Sequence, residues 1–348
     1  MTEKFRYIII VMMTLSVISR ANAQGITFDF SDDPEPAVLQ DKIQTINVNG
    51  EIRQYIWAPP LGLEGPFPTI FMLHGSVSSA DSIQKNLYLE EFAHPQGVAV
   101  AYPISRASGW VDGRGGLPSR TLKNGELRPV ENDMAFFDAL FKKLTEEKKL
   151  DPDNIFFSGI STGGIMAMRI LCQRSEMLNS VGTLLANIPM KVSKQCNFNP
   201  GISMFMANGT VDRVMPYGGG AIMGDPRKGE LMSVRNATIF FLHKNKCKVY
   251  VAPEKLQGPK SIKKAVYDDC EYGSEIVNYR LRGWGHSVPG YIENKYLEAH
   301  IRAQRDPTKK KKADMVEYLV NFFASHIKVK GAEKNEPKPE KKSTSKRK

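Results

Sequence analysis

Ser161 stands where covalent chemistry is easiest to imagine. It sits at the centre of Gly159-Ile160-Ser161-Thr162-Gly163, with Gly164 following. The apolar run Ile155-Phe156-Phe157 leads in, and the helix-like stretch Met166-Ala167-Met168-Arg169-Ile170-Leu171 leads out. A strand that turns this sharply into a helix has no room for side chains two positions either side of the serine, so glycine is required there. The turn lifts the hydroxyl clear of the strand, where it can attack an acyl carbon. Thr162 opens the helix, and its backbone N–H points to where the resulting oxyanion would form.

An attacking serine needs a base within hydrogen-bond reach and a carboxylate to orient that base. Asp212 lies just beyond a buried-looking strand at residues 202–207, in Asn208-Gly209-Thr210-Val211-Asp212. His286 lies just beyond the last such strand, residues 276–281, in Arg282-Gly283-Trp284-Gly285-His286. Nucleophile, acid, histidine is the chain order of the α/β-hydrolase fold, whose serine rides on a GxSxG elbow. Asp225 and Asp268 do not directly follow a strand. His94, His243, His300 and His326 read as solvated or core-satisfied. His74 differs, because it ends the apolar run at 69–73 and precedes Gly75-Ser76. That is the place for a second oxyanion donor, the N–H of Ser76, with a merely structural His-Gly turn as the alternative.

The elements that must position these groups can be read from periodicity. Residues 43–58 alternate apolar and polar around Asn49-Gly50, an antiparallel N-terminal hairpin. Residues 69–73, 98–102 and 181–186 read as strands buried on both faces. Phe137, Leu140, Phe141 and Leu144 have helical spacing, as do Val316, Leu319, Val320 and Phe323, while 238–244 reads as helix more than strand. The stretch 103–129 is long, irregular and carries Trp110, and a loop of that kind is expected to overhang the site. Strands alternating with helices imply a mostly parallel central sheet with helices on both faces.

The ends of the chain read differently. Lys4 and Arg6, an apolar run at 7–18 too short to span a bilayer, and Ala21 and Ala23 describe a cleavable signal peptide over residues 1–23, hence a secreted or periplasmic protein without a transmembrane anchor. Residues 24–327 then form one catalytic domain. The formal net charge of +11 suggests nucleic acid until the charges are located. Lys309 to Lys312 and a tail at 328–348 with nine Lys or Arg against three Glu hold most of it. The folded body is therefore nearly neutral, which argues against nucleic acid. The tail lacks apolar residues and reads as disordered, either simply solvated or weakly adhering to anionic surfaces. Cys172, Cys196, Cys247 and Cys270 are an even count, and their spacing favours Cys172 with Cys196 and Cys247 with Cys270. No CxxC or histidine cluster suggests a metal, and no cofactor is expected.

Taken together, Leu73-His74-Gly75, the Gly159 elbow, residues 208–220 and Gly-Trp-Gly-His-Ser-Val-Pro-Gly at 283–290 resemble the secreted polyhydroxybutyrate depolymerase and feruloyl esterase family, α/β-hydrolases related to acetylxylan esterases. The resemblance implies Ser161 as nucleophile, Asp212 as acid, His286 as base, and Ser76 with Thr162 as oxyanion donors. Many members carry Cys at the place of Ser76 and Gly at the place of Trp284. The expected activity is carboxylic-ester hydrolysis on polysaccharide- or oligosaccharide-linked feruloyl or acetyl groups. A polyester depolymerase and a catalytically silent binding protein are the alternatives. Trp110, Trp284 and His74 are the expected substrate contacts, the tryptophans as flat apolar faces for sugar or aromatic rings.

Overall fold

A computed structural model describes residues 43–76, 78–106, 109–115, 133–249, 261–289 and 314–329. All of these fall in one compact unit, Lys42–Lys348. The expected signal peptide, His300, Lys309 to Lys312, residues 116–132 of the long loop and the tail beyond Val329 lie outside the described residues.

Among the described residues nine strands make one sheet: β1 (Ile43–Val48), β2 (Glu51–Ala58), β3 (Phe67–Leu73), β4 (Ala99–Ile104), β5 (Leu150–Ile160), β6 (Ser180–Leu184), β7 (Ser203–Gly209), β10 (Ser261–Tyr267) and β11 (Ile276–Arg282). Their spatial order is β1-β2-β4-β3-β5-β6-β7-β11-β10. The run from β4 through β3, β5, β6 and β7 to β11 is parallel throughout. Antiparallel strands close both ends, the expected β1–β2 hairpin at one and β10 at the other. A separate ribbon, β8 (Gly220–Ala221) with β9 (Glu230–Leu231), projects between β7 and the next helix. This is the α/β-hydrolase architecture anticipated from the sequence.

Helices α1 (Ala80–Leu87), α2 (Leu89–Ala93), α3 (Asp133–Glu146), α4 (Thr162–Arg174), α5 (Met190–Lys194), α6 (Val234–Lys244) and α7 (Met315–Ser325) complete the layers. Successive strand residues point to opposite faces, and β5 shows the effect. Phe157 stacks on Phe71 at 5.5 Å in the core shared with α3, α4 and α6, while Phe156 stacks on Phe323 of α7 at 5.1 Å in the other. Gly182 lets α7 close in, since a Cβ there would lie 2.3 Å from Leu319 Cδ1. The helix at 238–244 forms as expected, capped by Ser233, whose hydroxyl accepts from Asn236 N–H.

β10 escaped the sequence reading. Its centre is the exposed pair Lys263-Lys264, and among the described residues it pairs with β11 alone, so it carries the charge of an edge strand and little apolar signal. Both disulfides pair as their spacing suggested, Cys172 with Cys196 and Cys247 with Cys270. The first ties α4, the helix that begins at Thr162, to the chain just after α5. Among the described residues no helix is long and apolar enough to cross a membrane.

Candidate active site

The parallel strands β3, β5, β7 and β11 all end on one edge of the sheet, and each runs directly into one of the four segments singled out in the sequence. Ser161, immediately after β5, has φ 56° and ψ −122°, a conformation few L-residues adopt and one typical of strained functional turns. The glycines around it answer a steric demand. A Cβ on Gly159 would lie 2.3 Å from the Gly163 carbonyl carbon, one on Gly163 would lie 2.4 Å from Leu73 O, and one on Gly164 would lie 2.5 Å from Ala186 Cβ. The turn is held from the neighbouring strand, where Leu184 O accepts from Ser161 N–H at 2.9 Å. Ser161 is the N-cap of α4, so Thr162 N–H is one of the helix's unpaired amides.

Asp212 and His286 converge on this serine. The Ser161 hydroxyl donates to His286 Nε2 at 3.0 Å, and His286 Nδ1–H donates to Asp212 Oδ2 at 2.7 Å. The second carboxylate oxygen, Oδ1, accepts from Val214 N–H at 2.7 Å and Met215 N–H at 2.9 Å. The Asp212 side chain is 1% exposed while that of His286 is 26% exposed, so the acid is a fixed support and the base meets solvent and substrate. Trp284 contributes through its backbone, its carbonyl accepting from Val211 N–H at 3.0 Å next to the acid. Its side chain is half-buried against the α7 side of the core.

Across from the elbow, Gly75 lies so near that a Cβ there would be 3.3 Å from Ser161 Cβ. Ser76 Oγ and Thr162 Oγ1 are 3.1 Å apart, which brings together the two residues expected to supply oxyanion donors. The aromatic contacts need correction. Trp110 is 1% exposed and His74 2% exposed, so neither offers substrate a face. Trp110 instead packs between His74 and Phe137, with ring centroids at 5.0 and 5.6 Å, and donates its Nε1–H to His74 O at 2.8 Å. Trp110 and Asp112 of the long loop are thus turned into the protein. A hydrogen-bonding indole is as readily a strut as a platform, and its sequence gave no sign of which.

Sequence reasoning also missed the support behind Trp110. Asp133, at the start of α3, accepts from Val111 N–H at 2.7 Å through Oδ2 and from Arg53 Nη2–H at 2.8 Å through Oδ1. Arg53 is buried with its guanidinium 4.2 Å from the centre of the Phe136 ring. Buried Asp112, with Arg114 and Arg169 beside it, has its carboxyl pushed up to about 6 because loss of solvent outweighs the two cations. Apolar company for Arg53 in β2 was the available signal, a charged residue at an inward position of an alternating strand. Among the described residues no group of three or more His, Cys, Asp or Glu could hold a metal ion.

A Ser–His–Asp relay whose serine rides on a tight strand-to-helix turn is an arrangement suited to serine acyl transfer. No family model matches the sequence. Curated relatives do: a putative esterase, NocK, of Nocardia uniformis subsp. tsuyamanensis is 25% identical over 64% of this chain and 66% of its own length. The sequence is thus similar to proteins named as esterases. A probable feruloyl esterase C of Aspergillus flavus is 26% identical over 62% of this chain and 72% of its own. The S-formylglutathione hydrolase of Agrobacterium tumefaciens superposes with a TM-score of 0.47 over 82% of this chain and 93% of that one, at 10% identity. The alignment to NocK thus spans just under two thirds of that relative.

Proposed function

We propose that the chain is an exported serine esterase that removes feruloyl or acetyl groups from plant-polysaccharide fragments. The observation that carries the hydrolase reading is the unbroken relay from Ser161 through His286 to buried Asp212, with its distances of 3.0 and 2.7 Å. In the reaction His286 Nε2 takes the proton as Ser161 Oγ attacks the ester carbonyl. Thr162 N–H and Ser76 N–H receive the oxyanion, and His286 returns the proton to the leaving alcohol. Water activated by the same imidazole then releases the acid from the acyl-enzyme. Asp212 keeps the imidazole in the Nδ1–H tautomer and stabilises it when charged.

The feruloyl or acetyl part rests on the relatives named feruloyl esterase and on Trp284, a half-buried indole two residues before the base. The burial of Trp110 leaves Trp284 as the single aromatic of the expected pair able to meet an acyl or sugar ring. Export rests on the signal-like start of the sequence and on two disulfides, which persist in oxidising compartments.

The test is a panel of initial rates on purified protein with feruloylated and acetylated xylo-oligosaccharides, a short-chain chromogenic ester and a polyhydroxybutyrate film. Release of ferulate or acetate that vanishes in Ser161→Ala supports the proposal. Fast film clearing with negligible release from the oligosaccharides would make the protein a polyester depolymerase instead. No turnover of any ester, with oligosaccharide binding intact, would make it a silent binder.

A further inference from the structure

Two buried side chains outside the relay, His74 and Trp110, grip successive carbonyls of the loop that faces Ser161. Trp110 Nε1–H donates to His74 O at 2.8 Å, and the His74 ring donates Nδ1–H to Gly75 O at 2.9 Å. A third bond sets the tautomer. Ser105 N–H donates to His74 Nε2 at 3.2 Å, so Nε2 is the acceptor and the ring proton sits on Nδ1. Burial holds the imidazole's pKa below its ordinary value, which favours this neutral form.

The consequence is directional. In a trans peptide the C=O and N–H point opposite ways. With Gly75 O drawn to the His74 ring, the N–H of the same peptide, that of Ser76, is turned to the other side of the loop. That side is toward the elbow, given the closeness of Gly75 to Ser161 and the 3.1 Å between the Ser76 and Thr162 hydroxyls. We infer that His74 and Trp110 are positioning residues that aim the Ser76 N–H at the oxyanion, Trp110 acting through the His74 carbonyl. The inference rests on the hydrolase reading proposed for this site. Trp110 is itself held from its neighbour, because Val111 N–H is fixed by Asp133 and Val111 O accepts from Arg169. A preorganised donor contributes more than one that must reorient during the reaction. A loop of Gly75 and Ser76 alone has no means to hold that orientation.

A packing role and a positioning role differ in their effect on the transition state. The full-length protein is assayed on a soluble chromogenic ester, with competent sites counted by a fluorophosphonate that labels the serine. A trifluoromethyl ketone, which forms a tetrahedral adduct on the serine, reports oxyanion binding. Trp110→Phe keeps an aromatic ring and removes the N–H. It should lower kcat per titrated site about tenfold with KM within about twofold, and weaken the ketone by the same factor; deleting an oxyanion donor outright costs about 10²–10³. His74→Asn keeps an N–H near the place of Nδ1–H and should recover most of the turnover that His74→Leu loses. Should Trp110→Phe fail to fold, the Asn and Leu pair decides. Equal kcat in those two variants, or a fall in kcat without loss of ketone affinity, overturns the inference. A wild-type protein that neither labels nor hydrolyses any ester overturns the hydrolase reading and this inference with it.

Discussion

Thr162 and Ser76 touch through their hydroxyls, 3.1 Å apart, yet the chain brings their amides to the site by different means. Thr162 N–H is aimed by its own neighbours. Gly159, Gly163 and Gly164 admit one tight turn, and the helix beyond it leaves its first amides unpaired. Ser76 N–H is aimed by residues remote in sequence. Trp110, Ser105 and, behind them, Asp133 and Arg53 reach it only because β4 pairs with β3, β2 pairs with β4, and α3 packs on β3 through Phe141 and Phe71. A wall built locally is steric and tolerates little change at a few positions. A wall built at long range is made of hydrogen bonds and can be loosened one bond at a time.

The largest expected effects fall on the local side. Ser161→Ala and His286→Ala should each lower kcat on the order of 10⁶-fold, since the two act as one unit, with Asp212→Ala nearer 10⁴-fold. Circular dichroism unchanged beside that loss would place the defect in chemistry. Substantial turnover in His286→Ala would break the relay assignment and with it the comparison.

Next in size is the anchor of the remote side. Asp133→Ala strands the buried Arg53 guanidinium and frees Val111 N–H, so it should cost about 3–5 kcal/mol in urea unfolding. The folded fraction should also turn over more slowly, because the loop carrying Trp110 loses its support. Normal kcat per folded molecule would show that the two walls are not so differently built.

Opening the Cys172–Cys196 bridge by paired serine substitution should cost about 3 kcal/mol in the same assay. Cys172 lies at the far end of α4, and the elbow is fixed by contacts of its own, so kcat on a small ester should stay within about twofold. A large fall in kcat would mean that the elbow too depends on a distant tether.

The smallest expected effect is a pair of opposite pH dependences beneath the remote wall. His74, with its pKa held below 6.5 chiefly by burial, refuses a proton that the unfolded chain accepts. Its contribution is complete above that value and is lost as pH falls below it. Asp112, at about 6 against 3.8 unfolded, holds a proton that the unfolded chain has released. Stability from this group is therefore present below 3.8 and is lost as pH rises toward about 6. Urea midpoints from about pH 4 to 8 should lose the second slope in Asp112→Asn and the acid-side fall in His74→Asn. Unchanged slopes in both variants would remove these groups from the account.

Features settled within a few residues, or by order along the chain, were legible from the sequence alone. The elbow is such a feature, because its sterics are contained in Gly159 to Gly164. The convergence of Asp212 and His286 on Ser161 is another, since residues just beyond buried parallel strands must arrive at one edge of the sheet. Disulfide pairing at separations of 24 and 23 residues was legible for the same reason, short loops being easiest to close. Tertiary structure alone decided what Trp110 and His74 do, because an indole or imidazole has both an apolar body and an N–H, and only its neighbours select between platform and strut. It likewise decided that Arg53 and Asp133, 80 residues apart, share one buried site. A hydrogen bond needs its partner within about 3 Å, and for residues so far apart in the chain that distance is set by the packing of the sheet.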